Sequence, residues 1–170
     1  MIYSQFKRAI LTPVLSNMAG YSEDAEMAIS MIVAHESLGG EYIEQAIPDD
    51  YKINNPNHYG LGICQMEGWV HDDIWANSDN IFRDYRKCFE VINGFEHNIH
   101  STVNIPDANI MCSNHRYAVF MARKRLHMDT KPLPNNPYEM AKYLKDFWNS
   151  EHGAATPDKY LNDWQVWTNQ

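Results

Sequence analysis

No apolar run in this 170-residue chain reaches the ~18 residues that a membrane-spanning helix requires. The longest, Met27 to Ala34, is broken by Ser30 and followed at once by His35 and Glu36, so no membrane span is expected. The stretch Met1 to Arg8 lacks the charged-then-apolar order of a secretory signal. Basic residues are scarce, 14 against 22 acidic ones, and the net charge of −8 argues against a nucleic-acid surface, which depends on clustered Lys and Arg. The one basic cluster, Arg123-Lys124-Arg125, reads as the cationic last turn of a helix. Cysteines are few and odd in number; Cys64, Cys88 and Cys112 are spaced too widely for a Cys-x-x-Cys site, which favours reduced, buried thiols over a disulfide framework. His97 and His100 lie three apart with no carboxylate or cysteine pattern beside them, and neither a metal nor another cofactor is expected.

What is present is the composition of a globular protein, 44% hydrophobic and 21% charged, long enough for one well-packed domain spanning 1–170. The period of the apolar residues is mostly helical. Phe6, Ile10 and Leu11 share a helical face that Pro13 ends or restarts. Ser78 or Asp79 can cap a helix carrying Ile81, Tyr85, Cys88, Ile92 and Phe95. Ser113 or Asn114 can cap another through Tyr117, Phe120, Met121 and Leu126. Asn136-Pro137 with Glu139 is a capping signal for a helix bearing Met140, Tyr143, Leu144 and Phe147. After a loop through Gly153, Thr156-Pro157 starts a last helix with Tyr160, Leu161, Trp164 and Trp167. The segment 41–57, rich in Asn, Asp and Pro, reads as loop. Six or seven helices with one small β element make a mostly α architecture.

The stretch from Met27 to Glu67 organises the rest. A helix apolar on nearly every side belongs in a core. Ser22 can cap it, Gly39-Gly40 can stop it, and Glu36 then stands at its C-terminal end where the core opens. Desolvation and the negative end of the helix dipole would both disfavour the charged carboxylate there, the condition for a general acid held protonated near neutral pH. Taken alone, a carboxylate at a helix end is more often merely solvated. The glycine-rich segment Tyr59-Gly60-Leu61-Gly62-Ile63-Cys64-Gln65-Met66, readable as a small hairpin or extended piece, shifts that balance.

Together these motifs form a pattern. A buried helix ending in His35-Glu36-Ser37-Leu38-Gly39-Gly40, followed by Gly60-Leu61-Gly62-Ile63-Cys64-Gln65, resembles the lysozyme-like superfamily, in its soluble lytic transglycosylase and goose-type lysozyme branch. There a catalytic Glu is followed by Glu-Ser-Gly and a Gly-Leu-Met-Gln segment. Asn114 to Leu126 is similar to the branch's Asn-bearing helix, and Leu144 to Asn149 stands where it carries Ala-Tyr-Asn-Ala-Gly. The tail, with Trp148-Asn149, Gly153, Thr156-Pro157 and Tyr160, looks closest to small bacteriophage versions. The pattern departs at Leu38, where the family has glycine, at Cys64, where it has methionine, and at Trp148, where it has tyrosine.

The resemblance implies a lysozyme-like α+β domain with a small β-hairpin beside an active-site cleft. It implies cleavage of the β-1,4 bond between N-acetylmuramic acid and N-acetylglucosamine in peptidoglycan, with Glu36 protonating the leaving oxygen. Gln65, Ser37, Trp148, Asn149 and Tyr117 would bind substrate. Gln65 and Asn149 read equally well as backbone-bonded or helix-ending residues. A hydrolase needs a second carboxylate, and Glu67 is the alternative second acid or base. Without one, the sugar's own C6 hydroxyl is the plausible nucleophile, and a 1,6-anhydro end the product. The partners implied are peptidoglycan glycan strands and other virion proteins, and the expected place is the virion, or the host cytoplasm before release to the cell wall. A non-catalytic virion or interaction protein on the same scaffold is the alternative, since fold does not fix function.

Overall fold

The computed structural model describes residues 1–94, 104–149 and 155–170, and these are mostly helical with one two-stranded sheet. The N-terminal segment is α1 (Tyr3–Phe6), a π-helical turn (Lys7–Leu11) and α2 (Thr12–Asn17). Pro13 does not end this run. It lacks the N–H that would serve the Ala9 carbonyl one turn back, and the Arg116 guanidinium donates to that carbonyl instead, at 3.1 Å.

Ser22 caps α3 (Glu23–Ser37), its Oγ accepting from the Ala25 N–H at 3.1 Å. Every residue from Ala28 to Ala34 is buried, so α3 runs through the core as its apolar composition requires. The stop differs from the Gly39-Gly40 expectation. Leu38 itself takes the left-handed conformation (φ 50°), and the Gly39 N–H closes the turn on the Val33 carbonyl at 3.0 Å. Gly39 is needed beside it because Trp167 packs where a Cβ would stand.

The expected loop over 41–57 contains α4 (Asp49–Asn54), started by Pro48 with Asp49 and Asp50 in its first turn. None of its residues is buried, so no apolar stripe announces it. A hairpin follows: β1 (Gly60–Leu61) and β2 (Met66–Glu67) pair antiparallel, Gly60 opposite Glu67. Gly62 at its turn has φ 69°, and a Cβ there would stand 2.5 Å from the Met111 carbonyl oxygen. Trp69 and Trp75 lie on the next helix, α5 (Gly68–Asn77).

In α6 (Ile81–Asn93) the residues Ile81, Tyr85, Cys88 and Ile92 are all buried. Its cap position is Asn80, in the left-handed conformation, instead of Ser78 or Asp79. The Asp79 carbonyl receives Lys124 Nζ at 3.0 Å. After α7 (Ile110–Ser113), Asn114 caps α8 (His115–His127) by accepting from the Tyr117 N–H. This is a second core helix, buried from Tyr117 through Lys124. The basic cluster at its end is more than a solvated last turn. Lys124 Nζ lies buried 3.0 Å from Asp84, and Arg123 donates to the Gly20 carbonyl at 3.0 Å.

Asn136 caps α9 (Pro137–Phe147) on the Tyr138 and Glu139 N–H groups, and Thr156 caps α10 (Pro157–Thr168) on that of Lys159. The helices α8, α9 and α10 pack around α3. Phe95, His97, His100 and Gly153 lie outside the described residues. Cys64 and Cys88 are buried, Cys112 is partly buried, and all three thiols are free. Among the described residues no helix is long and apolar enough to cross a membrane.

Candidate active site

The helix ends and the hairpin meet in a cleft of about 440 Å³. From the helical side come Glu36 at the end of α3, Arg125 in the last turn of α8, and Trp148 and Asn149 just past α9. From the hairpin side come Gln65, Glu67 and Trp69. The cleft therefore gathers five of the seven residues that the sequence singled out: Glu36, Gln65, Glu67, Trp148 and Asn149.

Glu36 is half-buried and has one side-chain partner among the described residues, the Tyr160 hydroxyl, which donates to its Oε1 at 2.8 Å. Burial first, and then the neighbouring Glu36 carboxylate, push the Tyr160 hydroxyl well above its ordinary value, so it stays a donor. Tyr160 is in turn braced from behind. The His35 ring lies 4.0 Å from its ring and is anchored by Nδ1 to Asp163 at 2.8 Å. His35 is thereby a packing residue behind Tyr160.

Asn149 sets its side-chain amide beside the Tyr160 hydroxyl. Its Oδ1 is buried and has no hydrogen-bond partner among the described residues. A buried acceptor left unsatisfied beside a cleft is uncommon, and it leaves Asn149 with hydrogen-bonding capacity to spare. Arg125 lies 4.2 Å over the Trp148 ring and donates to the Trp148 carbonyl at 3.0 Å. Burial lowers its guanidinium from the ordinary value, against the raising effect of the Glu36 and Glu67 carboxylates, and it remains a cation.

On the hairpin side Gln65 sits in the left-handed region (φ 47°), strained for a non-glycine residue. Its Nε2 donates to the Gly62 carbonyl at 2.8 Å, so it is backbone-bonded and cleft-lining at once. Because Gln65 is not extended, simple strand alternation does not relate it to Glu67. Glu67 nevertheless lines the same cleft, with the Trp69 indole N–H donating to its carboxylate. Of the two aromatics that line the cleft, Trp69, about half exposed, is more open to a ligand than Trp148.

Two expected substrate contacts are corrected. Ser37 is fully buried: its Oγ donates to the Val33 carbonyl and accepts from the Gly40 N–H, so it shapes the helix end. Tyr117 is fully buried as well, its hydroxyl accepting from Trp75 Nε1 at 2.9 Å and donating to His71 Nε2 at 2.7 Å. Trp75 joins it in the core, and Trp148, only 5% exposed, has Arg125 over its face, which leaves little surface for a sugar ring. Conversely, the residues that sequence reasoning missed are Tyr160 and Arg125. Each falls on a regular helical stripe or turn, and no local signal marks it as facing the cleft. Among the described residues no group of His, Cys, Asp and Glu is placed to hold a metal ion. Comparison of the chain with protein-family models, with curated proteins and with solved structures finds no match to any of them.

Proposed function

We propose that this cleft binds a peptidoglycan glycan strand, and that Glu36 is the general acid that cleaves its N-acetylmuramic acid to N-acetylglucosamine bond. The observation that carries this reading is the setting of Glu36. It is a half-buried carboxyl with a single buried donor among the described residues, at the mouth of a polar cleft whose other side offers an amide, a carboxylate and an open indole. Glycoside cleavage needs such a positioned carboxyl group beside the leaving oxygen. The unpartnered Asn149 oxygen suits an acetamido N–H, and Trp69 suits the apolar face of a sugar ring. The order of these elements along the chain also supports a lysozyme-like domain of the small bacteriophage type, reaching the wall from the virion or through a separately encoded membrane pore.

In the one-carboxylate form of the reaction Glu36 gives its proton to the glycosidic oxygen as the C1–O bond breaks. The C6 hydroxyl of the same muramic unit then bonds to C1 and returns its proton to Glu36, leaving a 1,6-anhydro end. Glu67 favours a second form. If it activates a water across the cleft, the product is a reducing muramic acid and the enzyme is a muramidase. Mass spectrometry of muropeptides released from purified sacculi tests both, because a hydrolysis product is heavier by one water than its anhydro counterpart. Release of either product supports the glycosidase. Intact sacculi after incubation with folded protein would leave a non-catalytic wall-binding or virion protein instead.

A further inference from the structure

We propose that Arg125 is a specificity-determining residue that binds a carboxylate of the glycan strand, an inference that rests on the glycan-cleaving reading of the cleft. The Arg125 guanidinium has five N–H donors in a fixed plane, and among the described residues its one hydrogen-bond acceptor is the Trp148 carbonyl. No carboxylate among them stands within ion-pair distance of it. Glu36 and Glu67 act on it as nearby charges without being bonded partners. One position earlier, Lys124 has what Arg125 lacks, a buried carboxylate partner: its Nζ lies 3.0 Å from Asp84.

A largely buried cation with unused donors is costly unless an anion completes it. Arg125 lines the cleft, so that anion can come from the ligand. The Trp148 ring 4.2 Å from the guanidinium holds its plane in one orientation, which favours paired N–H donation to a planar carboxylate. On a peptidoglycan strand carboxylates occur in two places: on the lactyl ether of an unsubstituted muramic unit, and on the stem peptide where one is attached. Either presents the same chemistry to the guanidinium.

The test uses intact sacculi and amidase-stripped strands, each before and after conversion of carboxylates to methylamides. Initial rates over a range of substrate concentration separate KM from kcat for the wild-type protein, Arg125→Lys and Arg125→Gln. The wild type is expected to show a KM at least about tenfold higher on one methylamide substrate than on its carboxylate parent, the scale of a charge-assisted pair. A loss confined to the stripped strands assigns the lactyl carboxylate, and one confined to sacculi assigns the stem peptide. Arg125→Gln should erase this preference and Arg125→Lys keep part of it. A residue that only props the Trp148 wall would instead slow all substrates alike.

If wild-type cleavage is equal before and after conversion, or if Arg125→Gln keeps the full preference, the assignment is overturned while the glycosidase stands. If the wild type cleaves nothing, both readings fall together. Should Arg125→Gln not fold, the wild-type substrate pairs and Arg125→Lys still decide the question.

Discussion

Two glutamates on α3 teach more together than either does alone. Glu26, near the N-terminal end, is buried and fully engaged: Thr12 and Tyr21 donate to its Oε1 and Lys7 Nζ lies 2.8 Å from its Oε2. Burial alone would raise its carboxyl, but the bonds from Lys7 and Thr12 and the Lys7 charge outweigh it and hold it below the usual range. Glu36, ten positions on, has one donor among the described residues and an open cleft. A carboxylate whose acceptor capacity is used up inside the protein holds the fold together, and one with capacity left over can meet a substrate. Glu26 is buried in the first turn and Glu36 half-buried in the last, and their roles follow from how many partners each one has.

The largest expected effect is on Glu36. Glu36→Gln should lower the rate of muropeptide release at least ~100-fold, the scale of a general acid, with little change in Tm. Next is its donor. Tyr160→Phe removes the hydroxyl that orients Glu36 and should cost about tenfold in kcat with KM nearly unchanged, read from initial rates on sacculi. An equal loss from Tyr160→Phe and from a distant core substitution of matched stability would remove Tyr160 from that role.

The same replacement at Glu26 inverts the pattern. Glu26→Gln should leave the rate intact at 25 °C and lower stability by about 1–2 kcal/mol, since Lys7 is 48% exposed and its pairing is partly screened. Thermal unfolding should then shift down by about 2–8 °C. The smallest effect is in its pH dependence. The Glu26 carboxyl is depressed in the folded state from an ordinary value near 4.5. Its contribution to stability is therefore complete above about 4.5 and is lost as pH falls through the depressed folded value. Denaturant melts from pH 6 to 3 should show a shallower acid loss in Glu26→Gln than in the wild type.

The features legible in the sequence are those whose cause is local. Ser22, Asn114, Asn136 and Thr156 all cap helices where their side chains predict, because a cap needs only a hydroxyl or amide two or three residues before an N–H. The α3 core run follows from its all-round apolar composition and the α6 stripe from its period. The failures are tertiary. Exposed α4 has no apolar stripe, and Leu38 takes a glycine's conformation where Trp167 packs against Gly39. In the site, Glu36, Gln65 and Glu67 were visible because they sit within one motif-bearing stretch. Tyr160 reaches Glu36 across a separation of 124 residues, a meeting that only the packing of α10 on α3 brings about. Ser37 and Tyr117 were misplaced for the complementary reason. A hydroxyl next to a site motif looks available until its backbone or core partners are seen.

The most direct measurement is clearing of purified sacculi by Glu26→Gln and Glu36→Gln side by side, at a temperature where melts show both folded. The account predicts that Glu26→Gln clears them at the wild-type rate while Glu36→Gln leaves them turbid. Clearing by a folded Glu36→Gln protein at the rate of Glu26→Gln would contradict it.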